Sequence, residues 1–414
     1  MNIARIPPRL LAIDASSLIF SGGGATHLQE LLLHADWSPF SEIVVLGAAG
    51  QENLFADLHP RVRFYCDPEL PLHVHRPWRS LGYWLAILQI LYWRANTLPR
   101  RVAELDAGML LSCTGLLPAR MPRSVKTIAV MHNMLPFDPV AIRTFGLAMR
   151  VRFRILRRQQ IKSMHRAAGV IFLSHFARDV LMAEAKLPAA KVTTIIPNGS
   201  DHTGKTDTIR RKLKSPVEIL YVSGLDPYKH HDEVIAALGL LRKDGRNIRL
   251  HLAGPEHPAI AAQLRAQIGS LGLESSVVMH GALAADALKQ LYRRADLFVF
   301  ASSCENCPTV LLEAMAHGLP IVAAKHPAMM ELAHDAMVPL ASVSADEIAA
   351  AVNRLLSDEM LRRRLSEAGR RRAGHLTWER AAEHTYGFLA SLGAFNRVQR
   401  GGAFHTMDLA RTRF

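Results

Sequence analysis

Short apolar runs, separated by longer amphipathic stretches, recur along this chain. Residues 10–46 read as a strand (LLAID), a glycine-rich turn (SGGG, 21–24), a helix (ATHLQELLLHA) and a second strand (EIVVLG). That order opens an α/β sheet. Further short apolar strands are expected at 108–113 (GMLLSC), 126–131 (KTIAVM) and 169–173 (GVIFL). A fresh series begins at 217–224 (VEILYVSG) and runs through 248–254, 276–281, 296–302 and 320–324, with helical segments such as HDEVIAALGLLRKDG and ADALKQLYRRA between. Regular alternation of buried strand and helix argues parallel sheets covered on both faces. The polar, turn-rich stretch 195–216 divides the two series. The pattern therefore predicts two Rossmann-like domains, in which ligands sit beyond the carboxyl ends of the strands.

Composition agrees with that division. The chain has 414 residues, 49% of them apolar, too long for one ordinary core and rich enough to fill two. Four cysteines (Cys66, Cys113, Cys304, Cys307) cannot staple a chain of this size, so reduced thiols are expected. The first twenty residues carry prolines and an early aspartate where a signal peptide needs an unbroken apolar segment. The longest strongly apolar run, residues 81–93, falls short of the roughly 20 residues of a spanning helix. A cytoplasmic location is expected.

The stretch 302–324, SSCENCPTVLLEAMAHGLPIVAA, concentrates the candidate chemistry. Cys304 and Cys307 stand in C-x-x-C spacing, but structural zinc normally needs four ligands and no second pair is present. A redox role would suit one small thioredoxin-like domain instead. Glu305 and Glu313 are eight positions apart. After the strand 296–302, Pro308 suits the start of a helix, and Gly318 suits its stop. Glu305 is then in the loop at the carboxyl edge of the sheet, and Glu313 about one and a half turns inside the helix. Amide groups at the helix start, residues 308–311, make an anion site strengthened by the helix dipole. A phosphate cradle beside two carboxylates that accept from hydroxyls matches a nucleotide sugar.

ENCPTVLLEAMAHGLPIVAA resembles the E-x7-E signature of retaining glycosyltransferases of family 4, and motifs over most of the chain follow that family's order. The resemblance implies the GT-B fold, two Rossmann-like domains with parallel sheets facing across a deep cleft. It implies an N-terminal acceptor-side domain over 1–197, a nucleotide-sugar-binding domain over 198–385, and a segment 386–414 that returns toward the first domain and ends in a basic tail. Carried over, Glu305 contacts hydroxyls of the donor sugar and Glu313 the ribose. YVSGLDPYKHHDEVIAAL (221–238) resembles the donor-phosphate segment, so Lys229 neutralises the diphosphate together with the start of the helix at Pro308, Thr309 and Val310. The family's usual arginine before that lysine is replaced by Gly224. From SGGGATHLQELL, Gly23 and Gly24 bring backbone close to the diphosphate; from VMHNMLPFD (130–138), His132 faces the transferred sugar from the other domain. VIFLSHFARDVL (170–181) and IIPNGSD (195–201) are further matching pieces, and HLTWERAAEHTYGFL (375–389) resembles the closing helical region that returns toward the first domain.

Each of these residues also has a bland reading. The glycines also read as a simple turn, His132 as a core histidine, and Glu313 as a buried helix glutamate. His230 and His231 are adjacent and make a poor metal pair. No D-x-D occurs anywhere in the chain, so the resemblance implies a metal-independent reaction with no cofactor beyond the donor.

Charge adds one feature. Lysine and arginine outnumber aspartate and glutamate by 50 to 36, which favours an anionic partner. No acidic residue occurs from Pro139 to Arg178, and Arg150, Arg154, Arg158, Lys162 and Arg166 recur every fourth position. That makes one basic stripe if the segment is helical, although the alternation MRVRFRI also fits a strand. With residues 81–93, the stripe suits an anionic membrane leaflet, or is simply a solvated face. Aromatics that stack bases are sparse around it, so nucleic acid is not expected as a partner. The resemblance thus implies a retaining hexosyltransferase moving sugar from a nucleotide donor to a lipid-linked or oligosaccharide acceptor, in cell-surface polysaccharide or glycolipid biosynthesis. The alternatives are a sugar-nucleotide epimerase of the same fold and a degenerate, non-enzymatic module that binds membrane or nucleic acid.

Overall fold

The computed structural model describes residues 10–16, 23–34, 40–55, 58–70, 81–201 and 213–394. Part of the glycine-rich turn (Ser21, Gly22), half of the expected divide (202–212) and the basic tail lie outside the described residues.

Two parallel sheets form the molecule. The first contains β1 (Leu11–Asp14), β2 (Ile43–Gly47), β3 (Val62–Cys66), β4 (Met109–Ser112), β5 (Lys126–Met131), β6 (Gly169–Phe172) and β7 (Thr193–Ile195), ordered β3-β2-β1-β4-β5-β6-β7. The second contains β8 (Val217–Val222), β9 (Ile248–Ala253), β10 (Val277–Gly281), β11 (Leu297–Phe300), β12 (Ile321–Ala324) and β13 (Met337–Leu340), ordered β10-β9-β8-β11-β12-β13. Central strands such as β1, β4, β11 and β12 are buried along their whole length, which is why they read as unbroken apolar runs. Strands β3, β7 and β13 carry weaker patterns and were not expected from sequence. β3 and β7 lie at the two edges of the first sheet and are only half-buried; β13 holds an exposed proline on the outer edge of the second.

Helices α1 (Gly23–Leu33), α2 (Glu52–Phe55), α3 (Leu81–Glu104), α4 (Pro139–Arg143), α5 (Leu147–Arg166) and α6 (His175–Ala185) accompany the first sheet. Helices α7 (His231–Lys243), α8 (Pro258–Ser270), α9 (Ala285–Arg294), α10 (Thr309–Ala316), α11 (Pro327–Ala333), α12 (Ala345–Ser357) and α13 (Glu359–His375) accompany the second. The basic stripe is therefore helical. Its period-two appearance loses to the local geometry of a twenty-residue helix whose Phe153 and Met164 are buried. Helix α14 (Trp378–Ala394) crosses back onto the first sheet: the Tyr386 hydroxyl donates to Leu31 O at 3.3 Å, and Phe388 and Leu392 pack against Gly169. The returning helix begins at Trp378, within the 375–389 segment that resembles the family's closing helical region and ahead of the last segment's limit at 386. Just before it, Leu376 and Thr377 are held by Ser200 of the divide.

The carboxyl ends of the two sheets meet. Residues following β5, β6 and β7 bond to residues following β11 and β12, and that meeting place is where the site is built.

Candidate active site between the two sheets

Lys229 and Glu305 come together at the carboxyl edge of the second sheet, with Lys229 Nζ 2.5 Å from Glu305 Oε1. Lys229 ends a 3-10 turn (Pro227–Lys229) after β8, and the Tyr221 hydroxyl donates to its carbonyl oxygen. Beneath the ammonium lie the rings of Tyr228 and Phe300, at 4.9 and 5.4 Å to their centroids, close enough for cation–π attraction. The approach of this turn depends on Gly254: a Cβ there would sit 2.0 Å from Ser223 O, and its φ of +146° suits only glycine. The side chains are 13% and 11% exposed. Removal of either partner strands a nearly buried charge, at a cost of about 3–5 kcal/mol.

Glu305 belongs to the loop from Ser302 to Pro308, and α10 starts directly after it. Pro308 is the N-cap, with φ −70° and ψ 112°, rather than the first helical residue. The expected row of amides from 308 to 311 is shorter than predicted. Proline has no N–H, and the amides of Leu311 and Leu312 are taken by Pro308 O at 3.1 and 3.4 Å. The groups left to an anion are those of Thr309 and Val310. Leu311, Leu312, Ala314 and Met315 bury the other face of the helix, and Gly318 stops it at φ +67°.

Glu313 sits on the fifth residue of α10. Its Oε2 is buried without a partner, and burial pushes its pKa up to about 7, a rise that the Tyr292 hydroxyl opposes by hydrogen bonding. Lys289 and Asp201, paired at 2.7 Å, lie near enough to act on the same carboxyl.

From the first sheet comes His132, directly after β5. Burial and the neighbouring His27 hold its pKa well below the ordinary imidazole value, so it is neutral, and its Nε2 is buried without a partner. Gly23 and Gly24 open α1 one turn before His27, whose ring meets that of His132 edge-on at 4.4 Å. Gly224 follows β8; a side chain there would meet Asp226 Oδ2 and Pro255 O at 3.8 Å, ordinary contact.

The cysteine reading fails on burial. Burial pushes the Cys307 thiol up to about 12 and the Cys304 thiol higher still, which keeps both inert. Cys304 packs into the core of the first domain, and Cys307 Sγ accepts from the Asn198 N–H at 3.3 Å. His230 and His231 diverge, bonding Ser303 and Ser223 respectively. Among the described residues no group of three His, Cys, Asp or Glu side chains is arranged to hold a metal ion.

Residues 21–203 match the family described as Glycosyltransferase Family 4, and residues 205–372 match Glycosyl transferases group 1. The two matches take in most of the chain, one on each sheet. The chain belongs to glycosyltransferase family 4. It is 29% identical over 218 residues to alpha-D-kanosaminyltransferase of Streptomyces kanamyceticus, covering 50% of this chain and 55% of that one. It is 25% identical over 251 residues to alpha-monoglucosyldiacylglycerol synthase of Streptococcus pneumoniae, covering 58% and 55%. The chain thus spans about half the length of these curated relatives. Its fold is that of Anabaena HepE solved in complex with UDP and glucose, with a TM-score of 0.69, 20% identity and coverage of 92% and 100%.

Several residues that build this family 4 site were not singled out from sequence. Asn306 Nδ2 donates to Met131 O and His132 O at 2.7 and 3.0 Å, while its Oδ1 accepts from the Ser174 hydroxyl at 3.0 Å. Glu331 of α11 accepts from the amides of His175 and Phe176 at 2.7 and 3.0 Å, capping α6 from the opposite domain. Asn306 stands between the two cysteines and belongs to no pattern of its own in the sequence. Glu331 reads as one more helix-surface glutamate until α6 is placed against it. Asn198 and His27 lie in quoted segments, but only their contacts show a role.

Proposed function

We propose that this chain transfers a hexosyl group from a nucleotide sugar to an acceptor hydroxyl, with retention of configuration and without a metal ion. The observation that carries the reading is the Lys229–Glu305 pair beside the free amides of Thr309 and Val310, at the meeting of the two sheets. A diphosphate entering this space takes Lys229 and the α10 amides as its counter-charge, and Glu305, released from Lys229, accepts from the sugar hydroxyls. Glu313 accepts from ribose hydroxyls, His132 faces the sugar from the other domain, and the backbone at Gly23 and Gly24 closes on the phosphates. As the C1–O bond to the phosphate breaks, the acceptor oxygen attacks the same face, and its proton passes to the departing phosphate oxygen. Preorganised donors at the leaving group carry most of such catalysis.

A panel of nucleotide sugars, followed by donor turnover with and without acceptors, tests this reading. Wild type should turn over one donor, and Glu305→Ala and Lys229→Ala should lose at least about a hundredfold in rate. Equal turnover in all three would remove the assignment. Product released at full rate without any acceptor would favour an epimerase, and no turnover by wild type a binding module.

An anionic membrane surface, on its cytoplasmic side, is the partner that the first domain suits. Trp93 of α3, Met164 of α5 and Ala177 of α6 share one core cluster, so these helices cover the same face of the sheet. Their outer surfaces expose large apolar side chains: Leu85, Leu88 and Tyr92 on α3, and Leu147, Val151 and Ile155 on α5, where Leu147 is 77% exposed. Arg150, Arg154, Arg158, Lys162 and Arg166 are exposed beside them. Apolar and basic rows side by side suit the headgroup boundary of an anionic bilayer. No helix among the described residues is long and apolar enough to cross a membrane. Phe145, just before α5, approaches Tyr228 at 6.1 Å, so this surface adjoins the Lys229 turn and suits a lipid-linked acceptor. Flotation with phosphatidylglycerol vesicles should fail when Arg150, Arg154 and Arg158 are all changed to glutamate. Unchanged flotation would sink this part.

A further inference from the structure

Asn198 lies between β7 and β8, where the chain passes from one sheet to the other, and it is bonded to both. Its Nδ2 donates to Cys307 O at 2.8 Å, and its backbone N–H reaches Cys307 Sγ at 3.3 Å. With the amide nitrogen so used, its Oδ1 faces His27 Nδ1 at 2.8 Å. A carbonyl oxygen only accepts, so His27 carries its proton on Nδ1. The His27 ring is clamped in that orientation by the edge of His132 at 4.4 Å and by Trp378 of α14 at 5.9 Å. His27 and Asn198 are 1% and 4% exposed, so water cannot replace either partner. Of the groups facing His27, His132 is the one that titrates, and burial keeps both imidazoles neutral, His27 with a pKa lowered to about 4.

We propose that Asn198 and His27 are positioning residues for the transfer step: one amide sets His132 beside the sugar and ties it to the loop that presents α10 to the donor phosphates. The proposal rests on the transferase reading above. It links two halves of the site that belong to different domains. His132 and Cys307 are joined through His27 and Asn198, by one ring contact, the hydrogen bond between His27 and Asn198, and two hydrogen bonds from Asn198 to Cys307. Cys307 directly precedes Pro308, the cap of α10, so a shift at Asn198 reaches both the sugar end and the phosphate end.

The two ends separate in steady-state kinetics on the nucleotide sugar that wild type turns over fastest. His27→Ala should lower kcat on the order of ten- to a hundredfold, the usual cost of a misplaced group, with little change in donor KM. Asn198→Ala should lower kcat and raise donor KM. Asn198→Asp is isosteric, keeps an acceptor for His27 and loses the donor to Cys307 O; it should spare most of kcat and raise KM, and it serves if the alanine variant does not fold. In a His132→Ala background, His27→Ala should cost no further kcat, whereas the KM effect of Asn198→Ala should persist. A merely structural role would repeat its full kcat loss in that background, and this result would overturn the proposal. An unchanged kcat in His27→Ala, with Lys229→Ala inactive, would also overturn it while leaving the transferase reading in place.

Discussion

Glu313 should make donor binding depend on pH. Its carboxyl is held up to about 7 by burial, and a ribose hydroxyl can donate only to the ionised form without competition from the carboxyl proton. With that pKa the ionised fraction is roughly a tenth at pH 6 and nine-tenths at pH 8, so donor affinity should tighten about tenfold, or about 1.4 kcal/mol, across the interval. Stability runs the other way. The unfolded chain ionises this glutamate near 4.5, so the contribution of the neutral folded form is complete below that value and is lost as pH rises toward about 7. Between pH 6 and 8 the loss is again about 1.4 kcal/mol. Glu313→Gln should flatten both dependences. The assay is calorimetric titration of wild type and Glu313→Gln with a nucleotide sugar, whose phosphodiester charges do not change in this range, paired with urea unfolding at the same pH values. A wild-type affinity that does not change between pH 6 and 8, or an equal slope in the glutamine variant, would refute the placement of the ribose on Glu313.

Other residues give independent tests. Glu331→Ala removes the carboxylate that caps α6 from the other domain; it should cost about 1–2 kcal/mol of stability and enlarge the radius of gyration measured by X-ray scattering. An unchanged radius would mean that the capping contact does not hold the sheets together. Gly199→Ala would place a Cβ 2.2 Å from Trp378 N and 2.3 Å from Thr377 C. Because these are backbone atoms, the lesion should exceed about 3 kcal/mol in thermal or urea unfolding and detach α14 from the first sheet, seen as faster amide exchange around Tyr386. Gly224→Arg has room for its Cβ and restores a second cation beside the expected diphosphate; donor KM should fall about fivefold, a gain near 1 kcal/mol, and a rise would mean that Asp226 captures the guanidinium. Chelation by EDTA should leave the transfer rate unchanged, and loss restored by a divalent cation would overturn metal independence.

Much of the fold is written in patterns that do not depend on distant contacts. Unbroken apolar runs at β1, β4, β5, β11 and β12 specify buried parallel strands because both their faces are covered. Glu305 and Glu313 were legible for the same local reason: a strand end, a proline and a helix leave only one arrangement of that segment. Edge strands β3, β7 and β13 were not legible, since a strand with one open side needs no full apolar pattern.

By itself the sequence determined two α/β units, the placement of the glutamates around α10 and the kinship with family 4, all properties of short segments or of their order. Tertiary structure alone decided which groups meet. The 2.5 Å approach of Lys229 to Glu305, the amide of Asn306 on the backbone of His132, the capping of α6 by Glu331 and the link from His27 through Asn198 to Cys307 each join residues far apart along the chain. Which amides stay free is by contrast local: Pro308 O takes those of Leu311 and Leu312 and leaves Thr309 and Val310. Periodicity reports which face of an element is buried; which partner lies against that face depends on how the two sheets dock, and no single segment encodes that.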